Sequence, residues 1–243
     1  MSYLDRFHRK LERCWKGSLI SVPEAKAIEP NAKKYLSQLA GTRQVEKVTW
    51  GWYWVPDEYK DFFDFLARDH NFKVLQKQSA AASWNGDFIH RDSFTVAVRD
   101  SSYARALKTF ANSQGWNVEV ETRDFEKNQY PRMRGLPVEE LEDTIVDCVK
   151  EWAFADAFAS VLQNKDAVDW GRISRHYGER IPQSNIRVGK VLKYGTAMMR
   201  SRSKDLKHGA HLPRVPDDFV RRQVEEAAER VTELGRLTKA LRG

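Results

Sequence analysis

Four polar residues within one short stretch, residues 33–38, have the chemistry to contact a nucleic acid. Lysine can bind a phosphate or a guanine, glutamine can pair with adenine through two hydrogen bonds, and serine can contact a base or the backbone. At roughly 100° per residue these side chains fall on one side of a helix, and the apolar residues of the stretch fall on the other. Such a face suits the major groove of DNA, although any helix on a protein surface can show a polar face. The four residues are Lys33, Lys34, Ser37 and Gln38.

The elements around this stretch have the order of a winged helix-turn-helix. Apolar residues at helical spacing predict three helices, and alternating residues on either side of a Thr49-Trp50-Gly51 turn predict a β-hairpin. The predicted helices cover residues 3–16, 23–28 and 31–40, and the predicted strands cover 45–48 and 52–55. Three helices followed by a hairpin predict a winged helix-turn-helix over residues 1–56, with the third helix presented to DNA.

Three further residues lie where the wing of such a domain would approach DNA. Arg43 and Lys47 could contact the phosphate backbone or the minor groove. Trp50 would lie at the tip of the hairpin. An indole at that position either packs on its own helix or is held out for a partner, and the sequence does not decide between the two.

A second candidate surface is a row of carboxylates between residues 139 and 151. Steps of four residues place them on one face of a long helix that apolar periodicity predicts over 138–162, where they would repel one another. They could bind a divalent metal, face a basic partner, or form salt bridges within the chain. The basic segment that follows favours the salt bridges. The row consists of Glu139, Asp143, Asp147 and Glu151, with Glu142 beside it.

Other motifs with catalytic chemistry are weak or missing. Glu58-Tyr59-Lys60 matches half of a nuclease signature, but this tripeptide is common by chance, and His208 and His211 lack further metal ligands nearby. The sequence contains no P-loop, no dinucleotide fingerprint, no G-x-S-x-G turn and no Cys–His nucleophile pair. We therefore expect no enzymatic activity, no catalytic or metal-binding residues and no cofactor.

The sequence as a whole predicts an α+β fold class. The N-terminal winged helix-turn-helix is followed by a mixed α/β domain with a helical C-terminal end. Residues 57–215 form the predicted mixed domain, with regulatory or partner-binding roles, and residues 216–243 form a predicted amphipathic helix. The predicted strands of the middle domain are 94–98 and 118–121. In the C-terminal helix, apolar residues recur with a 4-3-4-3 spacing, which fits either a homodimer or packing on the protein's own body.

The net charge of +7 is unevenly distributed over the 243 residues. Basic segments at 1–48 and 172–214 flank an acidic middle, and basic segments attract polyanions by releasing counterions. No apolar run reaches the roughly 18 residues of a membrane helix. The N-terminus lacks a secretory signal, and Cys14 and Cys148 have no ligand pattern around them. These features predict a cytoplasmic protein with reduced cysteines and no membrane partner.

Three short segments, in order along the chain, form a further pattern. They are Gly51-Trp52-Tyr53-Trp54-Val55-Pro56, Ser79-Ala80-Ala81 and Glu142-Asp143-Thr144-Ile145-Val146-Asp147. In this order they resemble segments of the AbiEi-type antitoxins, a family of winged-helix transcriptional regulators. The resemblance implies an N-terminal domain that binds double-stranded DNA and represses its own operon. It also implies a C-terminal domain that counters a cognate toxin of the nucleotidyltransferase type.

The function that the sequence predicts is therefore a sequence-specific, double-stranded DNA-binding transcriptional regulator of this antitoxin type. One alternative is a metal-dependent nuclease or nucleotidyltransferase that uses the acidic row at 139–151. Another is an interaction module whose winged helix binds protein. Cleavage or extension of nucleic acid in the presence of Mg²⁺ would identify the enzyme, and weak DNA binding that ignores Lys33 and Lys34 would identify the interaction module.

Overall fold

The computed structural model describes residues 2–72, 74–86, 93–124, 130–133, 135–202, 215 and 217–242. This part of the chain has the predicted α+β composition, with small sheets. The helices are α1 (Tyr3–Trp15), α2 (Val22–Ile28), α3 (Ala32–Gly41), α4 (Phe62–Arg68), α5 (Lys77–Trp84), α6 (Ser101–Ser113), α7 (Leu141–Lys150), α8 (Phe154–Gln163), α9 (Trp170–Ser174), α10 (Val188–Arg202) and α11 (Asp218–Arg242). The strands are β1 (Leu19–Ser21), β2 (Glu46–Thr49), β3 (Trp52–Trp54), β4 (Val74–Leu75), β5 (Ser93–Val98), β6 (Asn117–Thr122), β7 (Arg132–Met133) and β8 (Leu136–Pro137).

The described residues divide into two compact units. One comprises those of 1–75 and 92–137, and the other comprises those of 76–91 and 138–243. The predicted boundaries at residues 56 and 215 do not coincide with this division. The hairpin is continuous with the elements that follow it, and the C-terminal helix belongs to the second unit. None of the described helices is both long and apolar enough to cross a membrane.

The first six elements of the first unit surround one small core. Helices α1 and α2 each begin at a capping box, formed by Ser2 with Asp5 and by Ser21 with Glu24. The strands form an antiparallel sheet in the order β1-β3-β2. The predicted helices and hairpin strands are present, with their ends shifted by at most one residue. The largest side chains of this core are Phe7, Leu11, Ile20, Leu36, Leu39 and Tyr53.

Strand β3 lies in the middle of this sheet and packs on both of its faces. Tyr53 belongs to the core of the three helices. Its neighbours point the other way, towards α6, where Trp52 Nε1 donates a hydrogen bond to Ser102 Oγ at 3.2 Å and the Trp54 ring lies 5.1 Å from that of Phe110. Packing in the first unit therefore continues across residue 56, because β3 contacts the three-helix core on one face and α6 on the other.

The remainder of the first unit is built on a β-α-β arrangement. Strands β5 and β6 are parallel and joined by α6, and β4 pairs antiparallel with β5 to give the order β4-β5-β6. The strands predicted at 94–98 and 118–121 are confirmed. Aromatic rings from α4, α6 and the segments beside them pack together with centroids 4.9–6.4 Å apart. These rings belong to Tyr59, Phe62, Phe65, Phe110 and Trp116.

The second unit is helical, and its central helix is interrupted. The sequence predicts one helix over 138–162, but α7 ends at Lys150 and α8 begins at Phe154. Trp152 has a φ of +63° at this break, and its Nε1 donates to the Pro182 carbonyl at 3.1 Å. The prediction was wrong because both helices bury an apolar face, so the hydrophobic period continues across the break.

Helix α11 packs on α8 and α10 within the second unit. Its apolar stripe, Val220, Val224, Ala228 and Val231, is fully buried there. Of the two arrangements predicted for this helix, the structure has the intramolecular one. Val220, Val224 and Val231, three residues of the series on which a homodimer was predicted, are thus covered by the same chain.

Candidate functional site

Helix α3 presents the four predicted polar residues on one exposed face. Lys33, Lys34, Ser37 and Gln38 are all exposed, while the intervening Leu36 and Leu39 are buried in the core. The helix is held against α1, where the Phe7 and Tyr35 rings lie 5.7 Å apart. The division into polar and apolar halves that the sequence predicts is therefore present, and we call the four exposed residues the α3 face.

The cationic side chains of this region have no partners among the described residues. Lys33 and Lys34 form no ion pair and no side-chain hydrogen bond there, and the same holds for Arg43 and Lys47. All four are exposed. Because these side chains are exposed and make no polar contact within the described part of the chain that would have to be broken, a polyanion can bind them directly.

The connection from α3 to β2 turns sharply at Arg43. This residue has a φ of +59°, the left-handed region that usually suits glycine or asparagine. The turn is closed by two hydrogen bonds, from the Gln44 backbone N–H to the Leu39 carbonyl at 2.9 Å and from Thr42 Oγ1 to the same carbonyl at 3.1 Å. An arginine therefore occupies a position whose backbone conformation favours glycine or asparagine.

The hairpin holds Trp50 out into solvent. Its side chain is 86% exposed, although tryptophan usually buries most of its surface. The tip is tied down by Gly51, which has a φ of +78° and accepts a hydrogen bond from the Val22 N–H at 2.9 Å. Lys47 is exposed on β2. The indole could have packed on its own helix or been held out for a partner, and the structure shows the second position.

A basic surface that the sequence interpretation missed lies on α1. Arg6, Arg9, Lys10 and Arg13 follow the i, i+3, i+4, i+7 spacing of one helix face, and all four are exposed. Arg6 lies over the ring of Tyr3 at 4.5 Å. The signal was available in the sequence, because these residues lie opposite the apolar face of the same helix.

The acidic row along α7 is paired within the second unit. Arg172 contacts Asp143 at 2.7 Å and also Glu140. Lys150 lies 3.9 Å from Asp147, and Lys77 contacts Glu151. Glu139 lies just before the helix and accepts hydrogen bonds from Gln76 Nε2 and the Lys77 N–H, at 3.3 and 3.1 Å. The salt bridges that the sequence favoured are confirmed.

No group of three or more His, Cys, Asp or Glu side chains in the described residues is arranged to hold a metal ion. His208 and His211 lie outside those residues. In the nuclease-like tripeptide, Glu58 and Lys60 are exposed, whereas Tyr59 packs among aromatic rings and accepts a hydrogen bond from Trp54 Nε1 at 2.8 Å. This tripeptide thus anchors the aromatic cluster rather than forming a carboxylate–lysine site.

A buried polar network in the first unit centres on Asp69. Its carboxylate accepts hydrogen bonds from Ser18 Oγ at 2.8 Å, the Leu19 N–H at 3.3 Å and the Tyr103 hydroxyl. Burial raises the pKa of the Asp69 carboxyl, although these donors act in the opposite direction. Burial and the neighbouring Asp69 raise the pKa of Tyr103. The network joins the start of β1, the end of α4 and the helix α6.

No family model, curated protein or solved structure matches this chain significantly. The resemblance to the AbiEi-type antitoxins stays a prediction from short segments. The functional interpretation therefore depends on the surface of the first unit, where the α3 face, Arg43 and the hairpin residues Lys47 and Trp50 are exposed.

Proposed function

We propose that the protein is a sequence-specific, double-stranded DNA-binding transcriptional regulator in which residues 1–56 act as a winged helix-turn-helix. The observation that carries this proposal is the set of unpaired, exposed cationic side chains on and beside α3. In support, the chain order α1-β1-α2-α3-β2-β3 with a β1-β3-β2 sheet is the arrangement that such a domain requires.

The α3 face enters the major groove in this proposal. Lys33 and Lys34 contact phosphates or guanine, and Gln38 pairs with adenine through its amide. Ser37 contacts a base or a phosphate. Because Leu36 and Leu39 fix the opposite side of the helix in the core, the four polar side chains approach the groove as one rigid set.

The hairpin acts as the wing. Arg43 and Lys47 bind backbone phosphates on either side of the groove contacts, since each side chain is exposed and uncommitted. Trp50 packs its exposed indole against the sugar edge of the minor groove. A ring held at 86% exposure loses little internal packing when it transfers to such a surface.

The resemblance to AbiEi-type antitoxins supports a more specific role. In that role the protein represses its own operon, and the second unit counters a cognate toxin of the nucleotidyltransferase type. Glu142–Asp147, one of the segments that carry the resemblance, lies in α7 of that unit. Finding a nucleotidyltransferase gene next to this one would test the role directly.

The decisive experiment measures binding to the DNA upstream of the protein's own gene and to a scrambled duplex of equal length. Wild type is compared with the double variant Lys33→Ala/Lys34→Ala. We expect wild type to prefer the upstream DNA, and we expect the variant to lose about 10- to 100-fold in affinity for it. The slope of log K against log salt is negative, and its magnitude should decrease by about 1–2 in the variant.

A matched control is available in the same unit. Lys60→Ala/Lys108→Ala removes the same charge from two exposed lysines outside α3, and it should leave the affinity for the upstream DNA within about twofold of wild type. Equal binding of wild type to both duplexes, unaffected by the Lys33 and Lys34 changes, would refute the proposal.

A further inference from the structure

The second unit contains a short hairpin-like segment that brings two arginines face to face. The Ile181 N–H donates to the Ile186 carbonyl and the Val188 N–H donates to the Glu179 carbonyl, both at 2.9 Å. Between these two bonds, Arg180 and Arg187 form an antiparallel bridge. They occupy the position without mutual hydrogen bonds, where the facing Cα atoms are only about 4.5 Å apart and the side chains are closest.

The backbone forces both guanidinium groups outwards. Ile181 and Ile186, the next facing residues, are buried, so the alternation of an extended chain turns Arg180 and Arg187 to solvent. The turn is braced by Ser184, whose N–H donates to the Ile181 carbonyl and whose Oγ accepts from the Ile186 N–H, both at 3.0 Å.

Two contacts with residues outside the segment hold it in place. Trp152 Nε1 holds the Pro182 carbonyl at 3.1 Å. Gly189 lies so close to Tyr177 that an added Cβ would come within 2.6 Å of its side chain. The spacing of the two arginines is therefore set by the fold and does not depend on the flexibility of a loop.

Neither arginine is neutralised within the described part of the chain. Arg180 and Arg187 form no side-chain hydrogen bond or ion pair there. The carboxylate beside them in sequence, that of Glu179, is engaged by Lys150 at 2.6 Å and by His176 at 2.7 Å. Like charges at directly opposite positions destabilise a β pairing. The fold thus tolerates a repulsive pair, as expected if an anion binds between the two groups.

We propose that Arg180 and Arg187 together hold a phosphate of a nucleic-acid backbone, as a second DNA contact apart from the α3 face. Guanidinium groups match phosphate oxygens with paired hydrogen bonds. The choice of nucleic acid rests on the proposed function. It is also favoured by the exposed Lys190 and Lys193 that follow, because a row of cations suits a polyanion better than a single phosphorylated residue.

The test uses a scrambled duplex, because a backbone contact carries no sequence information. Wild type, Arg180→Gln/Arg187→Gln and the control Arg222→Gln/Arg230→Gln are titrated by fluorescence anisotropy at about 50 and 200 mM salt. The control removes two exposed arginines of α11. We expect the Arg180/Arg187 variant to lose about tenfold in affinity at the lower salt, with a salt slope smaller by about 1.8. We expect the control to match wild type.

A second variant separates the guanidinium geometry from the charge. Arg180→Lys/Arg187→Lys should keep the salt slope of wild type but bind more weakly, since an ammonium group lacks the fork. Thermal melting checks the fold, and the Gln variant should melt at or above the wild-type temperature because the repulsion is removed. A folded Gln variant with unchanged affinity and slope would overturn the proposal.

The result of the Arg180/Arg187 test can be distinguished from the result of the Lys33/Lys34 test. If wild type shows no preference for its upstream DNA, the proposed function fails, while a reduced salt slope in the Arg180/Arg187 variant would still show a phosphate contact. A phosphorylated peptide and vesicles of phosphatidylglycerol serve as competing anions. Binding of either probe that depends on the two arginines, with duplex affinity unchanged, would overturn the assignment to nucleic acid.

Discussion

The α3 face and the acidic row along α7 are both charged helix surfaces, but they differ in whether their charges are paired. Lys33 and Lys34 have no partner among the described residues. Along α7, by contrast, Asp143 is bound by Arg172, and Asp147 lies within ion-pair distance of Lys150. Charge on a helix surface therefore does not by itself identify a binding surface, because the pairing of the charged side chains differs between the two helices.

The difference has a physical origin in what surrounds each helix. The outer side of α3 is exposed in the described part of the chain, and exposed charges there remain hydrated at little free-energy cost. The α7 carboxylates lie close to other elements of their unit, where an unpaired charge would be costly, and basic residues from α5 and α9 compensate them. Removing a charge should therefore affect binding on α3 and folding on α7.

The largest expected change in stability is on the α7 side. Arg172→Ala removes a cation that contacts both of the partly buried carboxylates Glu140 and Asp143, and it should lower the free energy of unfolding by about 1–2 kcal/mol. Urea denaturation followed by circular dichroism measures the change. Lys33→Ala is the matched control on α3 and should stay within about 0.5 kcal/mol of wild type. Equal losses from the two substitutions would remove the distinction between the surfaces.

Asp69 extends the comparison to a carboxylate held by hydroxyl groups instead of cations. Burial raises its folded pKa above the ordinary value of 3.8. The stability that Asp69 contributes is therefore fully present at a pH below the ordinary pKa, and it is lost as the pH rises through the folded pKa. Asp69→Asn cannot titrate, so wild type should lose stability relative to the variant as the pH increases across this window. A stability difference that is independent of pH, measured by thermal melting in buffers on both sides of the window, would contradict the raised pKa.

The smallest expected effect is at Arg43, where backbone strain and charge can be separated. Arg43→Gly relieves the positive φ and should raise the free energy of unfolding by about 0.5–1 kcal/mol. The same change removes a proposed phosphate contact and should lower the salt slope of DNA binding by about 0.9. Arg43→Ala is the control, since it loses the charge but keeps the strain. A slope that is unchanged in both variants would exclude Arg43 from the DNA contact.

Local periodicity was enough to predict the α3 face. Lys33, Lys34, Ser37 and Gln38 lie on one side of a single helix, so their common exposure follows from residue spacing and needs no knowledge of the tertiary fold. The hairpin strands were also predictable, because alternation and a turn with Gly51 are local signals. The position of Trp50 was not, since packing or exposure of that ring depends on distant elements.

Features that depend on distant residues were missed for physical reasons. The break at Trp152 leaves the hydrophobic period intact, so no local signal marks it. The pairing of Arg180 with Arg187 arises across a turn with no repeating pattern. The first unit contains residues from both sides of 76–91 because β4 and β5 pair across that interval. Spacing along the chain predicts faces of elements, but it does not predict which elements meet.

Strand β3 has a consequence for how the first unit unfolds. Tyr53 contributes to the core of the three helices, while Trp52 and Trp54 contact α6 on the opposite face. Loss of this three-residue strand would open both cores at once, so neither core can melt while the other keeps its packing. The three-helix core and the β-α-β arrangement should therefore unfold in one cooperative transition. The slowest-exchanging amide protons of both parts should exchange with the same free energy of opening.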